Sequence, residues 1–274
     1  MVKYLPALLA AFALLAAPLM AVTLDGIPLH FTVAGKGPAT VILVHGWTCD
    51  ETSWSEQVPA LEGRFQTVTV DLPGHGRSGS PADGKFSMDL FARAVEAVRA
   101  EVGAERVVLV GHSMGTPVIV QYARTYPQRT VAMVFADGVV TLGANLGHKP
   151  NTEHMKGPEG PKFREANTRG MFSASTTPEL QRKIIRMMQT APASTAAGAM
   201  EAMYEPAIWK NDAIALPVLA IYSERSGLAS RALMQQHYPH LEYTEIPGTG
   251  HFLMLEKPAE FNRVLLEFLN RQGF

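Results

Sequence analysis

The stretch Val107–Gly115, reading Val-Val-Leu-Val-Gly-His-Ser-Met-Gly, restricts the fold more than any other part of the chain. Its apolar opening, Val-Val-Leu-Val, is mostly β-branched and forms a short buried strand. A Gly-x-Ser-x-Gly turn follows, and Thr116–Tyr126 then carries helical patterning. Strand, tight turn and helix in that order give the motif its meaning. Gly111 and Gly115 leave no Cβ where the backbone turns sharply and the helix passes close to neighbouring strands. Ser113 then projects from the turn with its Oγ near the helix N-terminus, where free N–H groups and the dipole favour negative charge. This reads as a nucleophile elbow. A glycine-rich turn with an exposed serine is the plainer alternative, and the rest of the chain decides between them.

Strands and helices alternate on both sides of this stretch. Val22–Leu24 and Leu29–Val33 flank Asp25-Gly26, a hairpin turn signal. Thr40–Val44 is a central strand by composition and ends in His45-Gly46-Trp47. Trp54–Leu61 is a short helix candidate, and Phe65–Val70 is a strand ending in the turn-rich loop Asp71–Ser78. Ser87–Val102 is a helix with Ser87 as N-cap and Phe91, Ala94, Val95, Val98 and Val102 on one face. Val131–Ala136 is the strand after the elbow helix. Such alternation predicts a mostly parallel sheet covered on both faces, with its ligand site beyond the carboxyl ends of the strands. His45, Asp71, Ser113 and Asp137 all lie just past such ends and are expected on one rim.

The pattern changes over residues 142–211, which read as a helical cap insertion. A Gly/Pro/Lys-rich stretch, Gly143–Pro161, comes first. Thr177-Pro178-Glu179 then opens a helix whose apolar face is Leu180, Ile184, Met187 and Met188. Ala193–Met203 is a second helix. Met155, Met171, Met187, Met188, Met200 and Met203 are either core filling or an adaptable pocket lining. The α/β pattern resumes with strand Val218–Tyr222, helix Ala229–His237, strand Glu242–Ile246 and a final helix Pro258–Asn270. That last helix turns Phe261, Val264, Leu265 and Phe268 inward. The core is therefore 22–141 and 212–274.

Composition narrows the function. The 274 residues are 47% hydrophobic and 18% charged, with a formal net charge of −1 and no long charged run. Nucleic acid and anionic membrane surfaces are poor partners for such a chain. One cysteine, Cys49, excludes an intramolecular disulfide and a cysteine-built metal site, and reads as buried filler. The nine histidines form no His-Glu-x-x-His and no tight cluster with carboxylates, so no metal and no cofactor is expected. Residues 1–21 have the layout of a secretory signal peptide: Lys3, the apolar run Leu5–Leu19, then small Ala21. Export to the periplasm or medium is expected, with no stable membrane insertion once the leader is removed. A retained anchor is the alternative, although the apolar run is short for a bilayer.

After the strand Glu242–Ile246 the chain reads Pro-Gly-Thr-Gly-His, placing His251 in a glycine-framed loop before a helix. A serine nucleophile needs a base that takes its proton and returns it, which neutral imidazole does near pH 7. His-Gly-Trp at 45–47, the Asp71–Ser78 loop, Gly-His-Ser-Met-Gly at 111–115 and Gly-Thr-Gly-His at 248–251 together resemble the α/β-hydrolase fold family. The small esterase, haloperoxidase-like and C–C hydrolase members are the most similar. The resemblance implies a central sheet of about eight strands and a Ser/acid/His triad. Ser113 matches the nucleophile and His251 the general base and acid. The backbone N–H groups of Trp47 and Met114 match the oxyanion hole. His45, Gly46, Asp71, Gly74, Gly76 and His112 match loop-shaping positions rather than chemistry.

The acid departs from the family pattern. Many relatives carry aspartate in a Gly-x-x-Asp turn after the strand that follows the cap. Here that turn reads Ser223-Glu224-Arg225-Ser226, so Ser226 stands at the usual acid position. Asp137 after strand Val131–Ala136, Glu224 from the usual loop, and a dyad or inactive site are the three readings. Serine at 113 argues against dehalogenase and epoxide hydrolase chemistry, which this fold performs with aspartate there. Carboxylic ester hydrolysis of a small-molecule substrate is the leading expectation. Perhydrolase, C–C hydrolase, lactonase or amidase activity, or a ligand-binding protein with a degenerate triad, are the alternatives.

Overall fold

The computed structural model describes residues 22–140, 150–224, 226–228 and 230–273. The expected leader at 1–21, the opening of the expected insertion at 142–149 and Ala229 of the expected helix lie outside the described residues. Asp25 and Gly26 both take positive φ, 51° and 80°, and turn β1 (Val22–Leu24) into β2 (Ile27–Leu29) as a two-stranded antiparallel hairpin. The chain then breaks at His30, whose N–H donates to the Ser78 hydroxyl at 2.8 Å instead of a ladder partner. The continuous strand expected over Leu29–Val33 is therefore two, and β3 (Phe31–Ala34) joins a different sheet.

That sheet has seven strands among the described residues, where the resemblance implied about eight. β4 (Thr40–Val44), β5 (Gln66–Val70), β6 (Val107–His112), β7 (Thr130–Ala136), β8 (Val218–Ser223) and β9 (Leu241–Ile246) follow β3 in sequence. Their spatial order is β3-β5-β4-β6-β7-β8-β9, antiparallel only between β3 and β5. β4 and β6 occupy the middle and are buried along their whole lengths, as their runs of Val, Ile and Leu require when helices cover both faces.

Short helix α1 (Val58–Leu61) follows a 3₁₀ turn at Glu51–Trp54, in place of the single helix expected over Trp54–Leu61. Pro59 explains the break, because it fits only the first turn of a helix. α2 (Met88–Glu101) starts where Ser87 Oγ accepts from Leu90 N–H at 3.0 Å, and α3 (Gly115–Thr125) leaves the elbow. Between β7 and β8 lie α4 (Glu153–Lys156), α5 (Gly160–Arg169), α6 (Pro178–Thr190) and α7 (Ala193–Met203). α6 and α7 fall where the patterning puts them. α4 and α5 have no apolar stripe to reveal them; α5 buries Arg164 and Thr168, with the guanidinium donating to the Ala191 carbonyl at 2.9 Å. α8 (Arg231–His237), α9 (Leu253–Glu256) and α10 (Pro258–Arg271) complete the chain. Phe261, Leu265 and Phe268 of α10 are buried, while Val264 packs against the core only in part.

The parallel register decides what shares the carboxyl rim. His112 pairs with Ala136, and Ala136 with Ile221, so the residues after β6, β7 and β8 emerge side by side. Ser223 pairs with Ile246, which brings the β9 loop to the same edge.

Candidate active site

Ser113 adopts φ 53°, left-handed backbone that serine seldom takes. The turn is held by its neighbours. Ser113 N–H donates to the Ala136 carbonyl at 3.1 Å, and the Ser113 carbonyl accepts from Thr116 N–H and Val139 N–H. Glycine is required on both sides: a Cβ on Gly111 would lie 2.6 Å from the Gly115 carbonyl carbon, and one on Gly115 would lie 2.4 Å from the Val44 carbonyl oxygen. The strained φ therefore sits in a turn that its surroundings over-determine, which is how such conformations persist. Met114 N–H, at the start of α3, and Trp47 N–H, in the loop after β4, donate to no protein acceptor among the described residues. The Trp47 indole N–H donates to the Ala196 carbonyl on α7 at 2.7 Å, fixing that loop against the helical segment.

Asp137 also takes a positive φ, 44°, directly after β7. Its Oδ2 lies 2.7 Å from His251 Nδ1, and its Oδ1 accepts from Ser223 N–H at 3.0 Å and Ser223 Oγ–H at 3.1 Å. Burial alone would raise the Asp137 carboxyl. The hydrogen bond and charge of His251, the Ser223 N–H and the Ser226 hydroxyl outweigh it and hold the group below the usual carboxylate range. An ionised acceptor fixes the imidazole with its proton on Nδ1 and leaves Nε2 free to take another. His251 is further gripped through its backbone: its N–H donates to the Met171 carbonyl at 2.9 Å, and its carbonyl accepts from His112 Nε2 at 2.9 Å.

Among the three readings of the acid, the geometry puts Asp137 on the histidine. Glu224 is exposed, and among the described residues its Oε2 accepts only a long 3.4 Å contact from Gly248 N–H. Ser113, Asp137 and His251 share the wall of a cavity of about 820 Å³. Among the described residues no hydrogen bond joins Ser113 Oγ to His251; such contacts are commonly long until substrate closes the site. The cavity also takes Met171, Phe172, Met200 and Met203 from the segment between β7 and β8. Met155 and Met187 are core filling instead, and Met188 is buried against a small void beside Ser113 and His251, so the two readings of the methionines divide between them.

The expected loop-shapers behave as such. His45 accepts from Leu72 N–H on Nε2 at 3.0 Å, tying the β4 and β5 loops together. Asp71 accepts from the backbone N–H groups of Glu51 and Arg77. Cys49 is buried, and burial pushes its thiol pKa far up. Sequence reasoning missed the support given by Ser223 to Asp137 and by the Met171 carbonyl to His251 N–H. Ser223 had a signal, since it opens the turn where the usual acid is sought; the Met171 carbonyl had none. Among the described residues no group of three or more His, Cys, Asp or Glu could hold a metal ion, and no helix is long and apolar enough to cross a membrane.

Comparison with known proteins identifies the family to which this fold belongs. The pimeloyl-[acyl-carrier protein] methyl ester esterase of Yersinia enterocolitica is 24% identical over 262 residues, 89% of this chain and 98% of its own. The structure of a thermophilic esterase from Thermogutta terrifontis superposes with a TM-score of 0.80 at 25% identity, covering 93% of this chain and 98% of that one. A bromoperoxidase from Bacillus anthracis gives 0.77 at 25% identity, with 89% and 96% covered. The family model described as alpha/beta hydrolase matches residues 41–264. The chain belongs to the alpha/beta hydrolase family.

Proposed function

We propose that the protein hydrolyses carboxylic esters through an acyl-enzyme on Ser113. The observation that carries this reading is the part-buried His251 Nδ1–Asp137 Oδ2 pair at 2.7 Å, set in the same cavity as the strained serine. Ser113 Oγ attacks the ester carbonyl carbon while its proton passes to His251 Nε2. Negative charge collects on the carbonyl oxygen, where the N–H groups of Trp47 and Met114 receive it. The tetrahedral species collapses, the C–O bond to the alcohol breaks, and the alcohol leaves with the proton from His251. Water then repeats the sequence on the acyl-serine, releasing the acid and restoring the Ser113 hydroxyl. Asp137 stays ionised throughout and stabilises the imidazolium that forms twice per turnover.

Esterase activity in the Yersinia enterocolitica and Thermogutta terrifontis relatives supports the ester class. Residues 142–211 serve in this reading as a cap over the core formed by 22–141 and 212–274. Residues 1–21 serve as an export leader, so the mature enzyme is periplasmic or secreted; the mass of protein recovered from the periplasm or medium tests the cleavage.

A fluorophosphonate probe tests the chemistry. Attack by an activated serine forms a Ser113 Oγ–P bond and expels fluoride, adding one probe mass to the intact protein. One adduct on the wild type and none on Ser113→Ala is the expected result. A folded wild type that takes no adduct overturns the proposal.

A further inference from the structure

Glu256 is the last residue of α9 and is half-buried, five residues beyond His251. It belongs to none of the catalytic groups above, yet its carboxylate accepts four hydrogen bonds. Oε2 receives Gly250 N–H at 2.6 Å, Ser173 Oγ–H at 2.9 Å and Ser175 Oγ–H at 3.1 Å. Oε1 receives the buried Thr176 hydroxyl at 2.8 Å. All four donors are neutral, so the carboxylate answers donors rather than a cation. One of them comes from the loop that carries the histidine. The other three come from the strap at 171–176, between α5 and α6.

The two partners are in contact elsewhere as well. His251 N–H donates to the Met171 carbonyl at 2.9 Å. A Cβ on Gly250 would lie 2.6 Å from that same carbonyl oxygen, 2.9 Å from Ser173 N and 3.1 Å from Glu256 Oε1. The strap supplies Met171, Phe172 and Ser173 to the wall of the cavity that holds Ser113. A shift of the strap therefore moves one wall of the cavity and the backbone of the base together.

We propose that Glu256 is a positioning residue that clasps the 171–176 strap to the Gly250–His251 loop, so that one carboxylate sets both the imidazole and one wall of the substrate cavity. The kinetic part of this proposal rests on the serine-hydrolase reading. A carboxylate suits the place because a single oxygen must accept three donors, which an ionised group does well. Its hydrogen bonds among the described residues run to the strap and the Gly250 N–H and not to Ser113, Asp137 or the His251 ring, so its role is mechanical: it orders the strap.

Glu256→Ala and Glu256→Gln separate this role from a merely stabilising one. Glutamine can keep an oxygen in the Oε2 place and turn its NH₂ toward Thr176, whose hydroxyl accepts as well as donates. With active sites counted by fluorophosphonate titration, Glu256→Ala is expected to lose about 10- to 100-fold in kcat and to raise KM for an aryl ester, since displacements near 1 Å carry penalties of that order. Glu256→Gln should recover to within about threefold of wild type, because it retains most of the acceptor geometry. Backbone hydrogen exchange gives a readout that needs no catalysis. Glu256→Ala should speed exchange at the Gly250 and His251 amides and within 171–176, while β6 and β7 keep wild-type rates. If kcat and KM per active site stay within twofold of wild type, or exchange in both segments is unchanged, the clasp is wrong. If wild type takes no probe but the exchange change appears, the clasp stands and only the hydrolase reading falls.

Discussion

At the residue scale the acid of the site is the informative position. The proposed acid, Asp137, lies at the end of β7, while the turn after β8 holds Ser226 where the family resemblance leads one to look for it. Ser223 and Ser226 of that turn now donate to the displaced acid. Asp137→Asn should keep the fold and lower kcat by about 10⁴-fold, because the amide no longer fixes the imidazole tautomer or stabilises its charge. Glu224→Gln should cost far less, since Glu224 makes no contact with His251 among the described residues. Steady-state hydrolysis of an aryl ester distinguishes the two. Adding Ser226→Asp to Asp137→Asn places a carboxylate beside the old position and should return part of the lost rate; no recovery would mean that the β8 turn cannot reach the histidine.

At the scale of elements, the elbow depends on backbone crowding that no side chain can relieve. Gly115→Ala sets a Cβ 2.4 Å from the Val44 carbonyl oxygen on the neighbouring strand. We expect about 1–3 kcal/mol of destabilisation, read as a lower urea midpoint, with activity lost as the elbow is pushed out of register. The same crowding explains what sequence makes legible. β4, β6, β7 and β8 are continuous apolar runs ended by glycine or polar residues, and the helices α2, α6 and α10 show period-3.6 stripes, so their types and places follow from pattern alone. α4 and α5 do not: α4 is a single turn that buries one residue, Met155, and in α5 the buried Arg164 looks like a surface residue in any hydropathy reading. Ser113 and His251 were legible because each lies in a motif. The choice among acids was not, since it depends on which loop end approaches Nδ1, a distance set by strand register and not by local spelling. Glu256 escaped for the same reason: three of its four donors lie about 80 residues away in sequence.

At the scale of the whole molecule, three histidines among the described residues, His45, His75 and His112, are buried away from water. Burial lowers His45, and it pulls His75 and His112 down to about 3. Below the ordinary imidazole value near 6.5 the unfolded chain binds protons that the folded chain refuses. Stability is therefore full above that pH and falls as the solution is acidified, until the folded histidines themselves titrate near 3. Each such histidine contributes a slope of up to about 1.4 kcal/mol per pH unit. Urea midpoints at pH 7, 6 and 5 should decrease in that order. His75→Phe, which keeps a ring packed between His45 and Phe91, should flatten the slope by about one proton.

The position of Asp137 has one more consequence. Ser113, Asp137 and both proposed oxyanion donors lie on the chain before the 142–211 segment, and His251 lies after it. A chain cut within that segment yields one fragment holding the nucleophile, the acid and the anion site, and another holding only the base. On the proposed mechanism neither fragment can turn over, and the hydrogen bond between His251 and Asp137 exists only when the two dock. Expressed as separate halves fused to a pair of interacting proteins, this fold would act as a two-component reporter whose ester hydrolysis measures association.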